Sequence, residues 1–345
     1  MSATLASVEH ELAARPRRWL VTGAAGFIGS HLVERLLALG QDVVALDDLT
    51  SGTRSNLEAV AGAAHGPARL RFLQADVRDR EALARALVGV EFVLHQAGLG
   101  SVPRSLADPG TSFDVNARGT WELLVAARAA GVRRVVCASS SSVYGDERAS
   151  PQREERLGTP LSPYAAAKRA AELAAEGLAR AGGPEVAALR YFNVFGPRQS
   201  PRGPYAAVSP RWGAALLAGQ RPELFGDGST SRDFTPVAGV VAANLLAATR
   251  ALVEPFRAFN VGAGCATSLV DLHRLLVAVA RALGRAAPSE LVAAPARAGE
   301  RPASLADLTR LRGELGYEPP ALSPEFLQAT LVGLARAVDS PRGGL

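Results

Sequence analysis

Tyr164 and Lys168 stand four residues apart in SPYAAAKRAAELAAEGLAR, and Lys168 is the only lysine among the chain's 38 basic residues. On a helix, that spacing puts both side chains on one face. A tyrosine hydroxyl ionises near ~10, too high for a base at neutral pH, and an adjacent ammonium lowers it. The spacing alone is common, and on a surface helix it carries no chemistry. Two facts weigh against that plain reading. A chain that uses Arg at every other Lys/Arg position has kept one ammonium here, and four serines, Ser139 to Ser142, follow the apolar run RVVCA. A strand-end hydroxyl beside a Tyr/Lys pair is what removing a proton and a hydride from an alcohol requires. The serines also read as a polar turn.

A second constellation lies near the start, where RWLVT leads into Gly23-Ala24-Ala25-Gly26-Phe27-Ile28-Gly29. Glycines at a strand-to-helix turn let backbone amides approach a pyrophosphate, whose charge the helix N-terminus favours. The GxxGxxG spacing is one residue longer than the common dinucleotide fingerprint. Asp47 closes the next apolar run, 18 residues after Gly29. A carboxylate there accepts hydrogen bonds from both ribose hydroxyls and repels a 2′-phosphate, which points to NAD rather than NADP. Its plainer reading is a strand-end turn residue.

These groups need a scaffold that gathers several strand ends. RWLVTG (18–23), DVVALD (42–47), LRFLQAD (70–76), FVLHQAG (92–98), RVVCASS (134–140) and EVAALRY (185–191) read as strands buried on both faces. Helix-like segments at 27–39, 79–88, 111–130 and 163–181 alternate with them. That alternation predicts an α/β fold with a doubly wound parallel sheet, whose strand carboxyl ends face the ligand crevice. After Tyr191 the rhythm breaks into a Pro- and Gly-rich stretch with one helix-like segment near 206–218. Helix-like 237–251, strand-like 259–264 and helices near 268–283 and 304–315 follow. A second, smaller α/β domain is expected, with 1–193 and 233–264 binding the dinucleotide and 194–232 and 265–345 the substrate.

At 345 residues the chain suits two packed domains, and 48% apolar with 21% charged residues excludes a disordered polymer. Two cysteines, Cys137 and Cys265, are too few for a disulfide framework or a thiolate metal site, so no metal is expected. The net charge of +5 raises the question of nucleic acid. The basic residues are scattered singly beside acids, as in Asp76-Val77-Arg78-Asp79-Arg80-Glu81, without a basic stripe interleaved with aromatics. No apolar run has spanning length, and the start has no signal-like core. The expectation is a soluble, cytoplasmic protein that binds neither nucleic acid nor membrane.

In order and spacing, TGAAGFIGSHL, HQAGLGSVPRS, SSSSVYG, SPYAAAK, LRYFNVFGPRQ and GDGSTSRDF resemble the extended short-chain dehydrogenase/reductase superfamily. Within it the chain resembles the NAD-dependent epimerase/dehydratase family over nearly its whole length. HQA-x-LGSVPRS, YAAV-x-P and the stretch before the first strand resemble in particular the bacterial UDP-N-acetylglucosamine 4-epimerases. The resemblance implies a Rossmann domain with Ser140 as catalytic hydroxyl, Tyr164 as base and Lys168 as its partner. It sets NAD against Gly23, Gly26, Phe27, Ile28, Asp47, Ser51, Gly52, Asp76, Val77, Gln96, Ala97, Asn116, Tyr164, Lys168 and Tyr191. It sets a nucleotide diphosphate on Asn193, Arg232 and Arg297, where forked guanidinium groups suit the phosphates. Arg232 also reads as an ion-pair partner of Asp233. Glu300 falls where the family holds the uridine ribose with an Asp, one methylene shorter. Ser101, Val102, Ser140, Ser141, Ser142, Ala207, Val208, Phe225 and Ser304 complete the implied substrate site.

The family hosts 4,6-dehydratases and decarboxylases besides epimerases, so the reaction class must come from the site. Dehydratases read TDEVYG, with an acid and a base after the catalytic hydroxyl, and the decarboxylases keep the glutamate. Here those positions are Ser141 and Ser142, which shuttle no further proton at neutral pH. What the resemblance then implies is a UDP-sugar 4-epimerase that oxidises carbon 4 and reduces it from the other face. Ser304 stands where the family places a residue against the sugar. Tyrosine there restricts an enzyme to glucose and galactose, whereas a small residue leaves room for an N-acetyl group. UDP-N-acetylglucosamine and UDP-N-acetylgalactosamine are therefore the expected pair, with the plain hexoses also open. Ser304 with Asp307 also reads as a helix cap. UDP-glucuronate 4-epimerase is the alternative enzyme, and a non-catalytic dinucleotide-sensing or RNA-binding member is the alternative of another class. By family analogy, helices near 111–130 and 163–181 are expected to pair two copies into a homodimer.

Overall fold

The apolar runs form one seven-stranded sheet in the computed structural model of the chain, which describes residues 3–62, 69–201, 206–295, 303–320 and 322–339. Its strands are β1 (Arg18–Thr22), β2 (Asp42–Asp47), β3 (Arg69–Gln74), β4 (Phe92–His95), β5 (Arg134–Ser140), β6 (Glu185–Tyr191) and β7 (Phe256–Val261). The spatial order is β7-β6-β5-β4-β1-β2-β3, with every pairing parallel. The longer helices are α1 (Ala3–Ala14), α2 (Phe27–Ala38), α3 (Gly119–Ala129), α4 (Pro163–Arg180), α5 (Val208–Leu217), α6 (Val237–Thr249), α7 (Leu269–Ala282) and α8 (Pro324–Asp339).

Both sheet faces are covered, which is why the strands read as continuous apolar runs. Along β1, Trp19 and Val21 join one core and Leu20 the other; along β2, Val43 and Ala45 part from Val44 and Leu46 in the same way. Leu32 and Leu36 of α2, Leu12 of α1 and Val240 of α6 complete the first core. Leu123 and Leu124 of α3 with Ala175 and Leu178 of α4 complete the second. The chain runs from β1 out to β3, then returns to build β4 to β7 on the other side of β1. The order therefore reverses between β1 and β4, and the crevice at that point is where such sheets bind ligands.

Residues 111–130, expected as one helix, are divided. A short helix at Pro109–Phe113 passes through a π-helical turn at Asp114–Arg118 into α3. Such widened turns recur at functional sites, and this one holds Asn116.

A third apolar cluster stands off the sheet. Trp212 of α5, Leu272 and Leu276 of α7, and Leu327 and Leu331 of α8 pack there with Phe195 and Phe234. At its border the strand Ser231–Asp233 runs antiparallel to Ala266–Ser268 and parallel to Ala303–Ser304. The fully buried Asp233 accepts hydrogen bonds from the amides of Ala263 (2.7 Å), Gly264 (3.0 Å) and Ala306 (3.2 Å). Beyond it, the helix Thr309–Leu315 turns back, and Leu308, Leu311, Leu315 and Tyr317 enter the sheet's first core. Among the described residues no helix is long and apolar enough to cross a membrane, and no His/Cys/Asp/Glu group is placed to hold a metal ion.

Candidate active site

A cleft of about 780 Å³ opens at the carboxyl ends of β1, β2, β4, β5 and β6. The glycine loop forms one end. Gly23 has φ +64°, and a Cβ there would lie 2.7 Å from the Ala97 amide nitrogen, so only glycine lets β1 and β4 end this close together. Phe27 and Ile28 then start α2 into the cleft. Asp47 is buried at the end of β2. Its carboxylate accepts from Ala25 N (2.9 Å) and Leu49 N (2.7 Å), so the turn is locked to the glycine loop. Burial raises its pKa, and the two amides oppose that rise.

Gly26, Ser51, Asp76, Val77, Gln96, Ala97 and Tyr191 also line the cleft, while Gly52 lies behind, tight against Ala25 and Gly26. Asn116 is buried behind Gly98. Its amide nitrogen donates to Leu99 O (3.1 Å) and Ser112 O (2.8 Å), and its carbonyl Oδ1 has no partner. An open glycine loop at a helix N-terminus, a carboxylate at the end of β2 and an unpaired amide oxygen beside the wall fit a dinucleotide of the NAD type.

At the middle of the cleft Ser140 ends β5, directly across from Tyr191 of β6. The side chain and amide of Ser142 donate to Ser140 Oγ at 2.9 and 3.2 Å, and Ser140 in turn hydrogen-bonds the Tyr164 hydroxyl. Ser162 caps α4 by accepting from Ala165 N (3.2 Å), and Pro163 takes the first turn, so Tyr164 is fixed one residue inside the helix. Lys168 points to the same spot and donates to Ala138 O (2.9 Å). Burial pulls its pKa down to about 8, against the opposing pull of Cys137 and Glu172. Burial raises Tyr164, and the Ser140 hydrogen bond opposes it. A cationic ring delivered into this cleft acts on Tyr164 in the same sense as Ser140.

A second, smaller pocket of about 220 Å³ shares Asn193 and Ala207 with the cleft and adds Val208, Trp212, Phe225 and Arg232. The Arg211 guanidinium sits 5.4 Å from the Phe225 ring centre. Asp233 spends its carboxylate on three amides, so its geometry does not follow the ion-pair reading of Arg232. Ser304 is buried in register with Arg232, outside the walls of both cavities. It caps no helix: the next one starts at Thr309, whose amide is taken by Asp307 (2.9 Å). Ser101 and Ser141 line the main cleft. Val102 lies beyond it, on the helix that Ser101 caps. Arg297 and Glu300 lie outside the described residues.

Three features of the site escape a reading by motif. Gly98, Leu99, Gln199 and Ser200 add to the wall. His95 bridges the glycine-loop strand to the π turn. Ala97 N donates to Thr22 Oγ1 (3.2 Å), which meets His95 Nδ1 (2.7 Å), while Nε2 meets Thr120 Oγ1 (3.0 Å). Thr120 gives its own proton to Asn116 O (2.7 Å), so Nε2 donates and Nδ1 accepts, and the ring is neutral. Burial, with Lys168 nearby, pulls the pKa of His95 down to about 3. Glu172 and Arg190 pair beneath the serines; the fuller spacing Y-x-x-x-K-x-x-x-E is the signal that marks this pair.

The profile of the NAD dependent epimerase/dehydratase family matches residues 19–262. The UDP-glucose 4-epimerase of Mycolicibacterium smegmatis is 42% identical over 316 residues, 91% of this chain and 97% of that protein. The UDP-glucose 4-epimerase of Thermotoga maritima, solved with UDP-glucose, superposes with a TM-score of 0.84 at 33% identity, covering 93% of this chain and 100% of that one. The UDP-N-acetylglucosamine 4-epimerase of Methanobrevibacter ruminantium, solved with UDP-N-acetylmuramic acid, gives 0.85 at 33% identity, covering 94% and 99%. The family match over residues 19–262 and the 42% identity to a relative covered over nearly its whole length agree, and the chain belongs to the NAD dependent epimerase/dehydratase family.

Proposed function

We propose that this chain is a UDP-sugar 4-epimerase that interconverts UDP-N-acetylglucosamine and UDP-N-acetylgalactosamine, with bound NAD as its cofactor. The observation that carries the reaction class is the Ser140–Tyr164–Lys168 cluster at the cleft centre, with Ser141 and Ser142 where elimination or decarboxylation would need further acid and base. Tyr164 takes the proton of the sugar's 4-hydroxyl and later returns it. Ser140 donates to the same oxygen, and Lys168 favours the phenolate. When bound, NAD takes up the hydride from carbon 4 and gives it back, so the cycle has no net redox change.

Asn193 and Arg232, with Arg297 outside the described residues, are assigned to the diphosphate, and the pocket of Ala207, Val208 and Phe225 to the nucleoside. Anchoring the nucleotide while leaving the sugar loosely held lets the 4-keto sugar turn its other face. Gly23, Gly26, Asp47, Asp76, Gln96 and Tyr191 are assigned to the cofactor. The relatives named above support the class and differ in sugar; the small Ser304 beside Arg232 favours the N-acetylated pair. We assign residues 1–193 and 233–264 to cofactor binding and the remainder to the nucleotide sugar, in a cytoplasmic homodimer. Turnover of a UDP-sugar panel, with product stereochemistry read by NMR, tests the reading. Inversion at carbon 4 with the N-acetylated pair preferred is expected; dehydration products, or no turnover by NAD-loaded protein, would refute it.

A further inference from the structure

Each of three site residues sits next to one member of a buried triad, Ser139, Glu172 and Arg190. Ser139 precedes Ser140, Arg190 precedes Tyr191, and Glu172 lies one helical turn beyond Lys168 on α4. Ser139 and Arg190 face each other across β5 and β6, and the Glu172 carboxylate closes the triangle. Its Oε1 accepts from Ser139 Oγ (2.6 Å) and Arg190 Nε (2.9 Å), and its Oε2 from Arg190 Nη2 (2.8 Å) and Arg169 Nη1 (3.1 Å). Glu172 and Arg190 are 3% and 2% exposed, so neither charge has water to fall back on. The remaining Arg190 nitrogen donates to Glu154 O (2.9 Å) and Tyr144 OH (3.2 Å). A solvated surface pair would leave both side chains free to rotate; this one is saturated with donors and rigid.

On this basis we infer that Glu172 is a positioning residue for the proton-transfer set, holding Ser140 through Ser139, Tyr191 through Arg190, and Lys168 from the next turn of the same helix. Its charge also acts on Lys168. The titratable groups around that ammonium are Cys137 on β5, His95 on β4, and Tyr164 and Glu172 on α4. Of the charged ones, Glu172 is the carboxylate that favours the protonated form. Removing it takes that carboxylate away from the ammonium and leaves Arg190 a buried cation without its partner.

The inference rests on the epimerase reading for its kinetic arm, but the lone lysine supplies an independent one. Protein grown on lysine labelled at Cε and Nζ gives a single side-chain NMR signal, whose titration reports Lys168 with or without substrate. In Glu172→Gln the midpoint should fall by about one pH unit. Turnover should fall about ten- to a hundred-fold, with UDP-sugar KM and NAD occupancy near parental values. Ser139→Ala should lower kcat severalfold without moving the lysine titration, and Ser139→Thr should restore it. If Glu172→Gln does not fold, the serine pair decides the matter. A parental Lys168 midpoint in folded Glu172→Gln, or parental kcat in Ser139→Ala, overturns the inference. So does a loss shared equally by kcat, KM and NAD occupancy, which is what a merely structural pair would give. A parent enzyme inert on every UDP-sugar would refute the function and leave the NMR result to judge Glu172.

Discussion

The Ser142 hydroxyl lies 2.9 Å from Ser140 and gives its proton to it, so the Ser140 hydroxyl is left to face Tyr164. The side chain at the dehydratase family's base position here donates to the hydroxyl proposed as catalytic. Ser140→Ala should therefore cost about 10²-fold or more in kcat, the scale of a lost positioned proton donor. Ser142→Ala leaves the amide bond to Ser140 in place and should cost only a few-fold. Steady-state kinetics on both variants checks this, and equal losses would mean that Ser142 works on its own account.

Lys168 tests whether the lone ammonium matters. Burial holds its pKa near 8, well below the usual lysine value. Below that pH, Nζ is charged and favours the Tyr164 phenolate; above it the charge is lost. Turnover should accordingly decline as pH rises through about 8, and Tyr164→Phe should remove activity by about 10²–10⁴ while UDP-sugar binding survives. Lys168→Arg should fail as well, because a planar fork does not fit the space where Nζ meets Ala138 O beside Gly98. A pH series of kcat on the three proteins reads all of this, and an active Arg variant without the alkaline decline would show that any cation suffices.

Asp47 is held at the cofactor end by Ala25 and Leu49. Its charge should exclude a 2′-phosphate, so acid extracts of the purified protein should contain NAD and no NADP. Asp47→Ser should weaken NAD retention and narrow the preference over NADP, as measured by fluorescence titration of the reduced cofactors. An unchanged preference would move discrimination to another residue.

The parts of the fold that repeat a local pattern were legible from sequence. Strands buried on both faces and the glycine loop ahead of α2 announce themselves within a few residues. What stayed hidden depends on partners far away in the chain. The π turn at Asn116 leaves a helical pattern intact on both sides. The His95 bridge needs Thr22 and Thr120 at once, and the ion pair of Glu172 joins residues 18 apart through a strand-end serine. Ser304 was ambiguous because S-x-x-D looks the same whether the serine caps a helix or pairs with Arg232. Only the position of the next helix, at Thr309, decides between them.

Leu106 on the helix Val102–Ala107, Phe113 on Pro109–Phe113, Trp121 and Val125 on α3 and Leu173 on α4 are exposed, as is Leu161 just before α4. An apolar patch of this kind on α3, α4 and the two helices before them suits a second copy packing helix on helix. Leu173→Glu and Trp121→Glu together should convert a dimer into a monomer in sedimentation or light scattering, with the NAD content retained. A monomeric parent would remove the homodimer from the proposal.

Ser304 makes the sharpest test of substrate. It lies in register with Arg232, the residue proposed for the diphosphate, on the neighbouring strand. The site is buried, at 8% exposure, and a tyrosine ring placed there must displace its neighbours or push toward the sugar. Ser304→Tyr should therefore reject the bulkier N-acetylated pair while UDP-galactose still turns over, because a pocket that loses volume discriminates by substituent size. The readout is the ratio of kcat/KM for UDP-N-acetylgalactosamine to that for UDP-galactose, which should fall by about ten-fold or more in the variant. Should the ratio stay at the parental value in a folded, NAD-loaded variant, Ser304 is only a strand residue, and the proposed N-acetylated pair loses its support from this position.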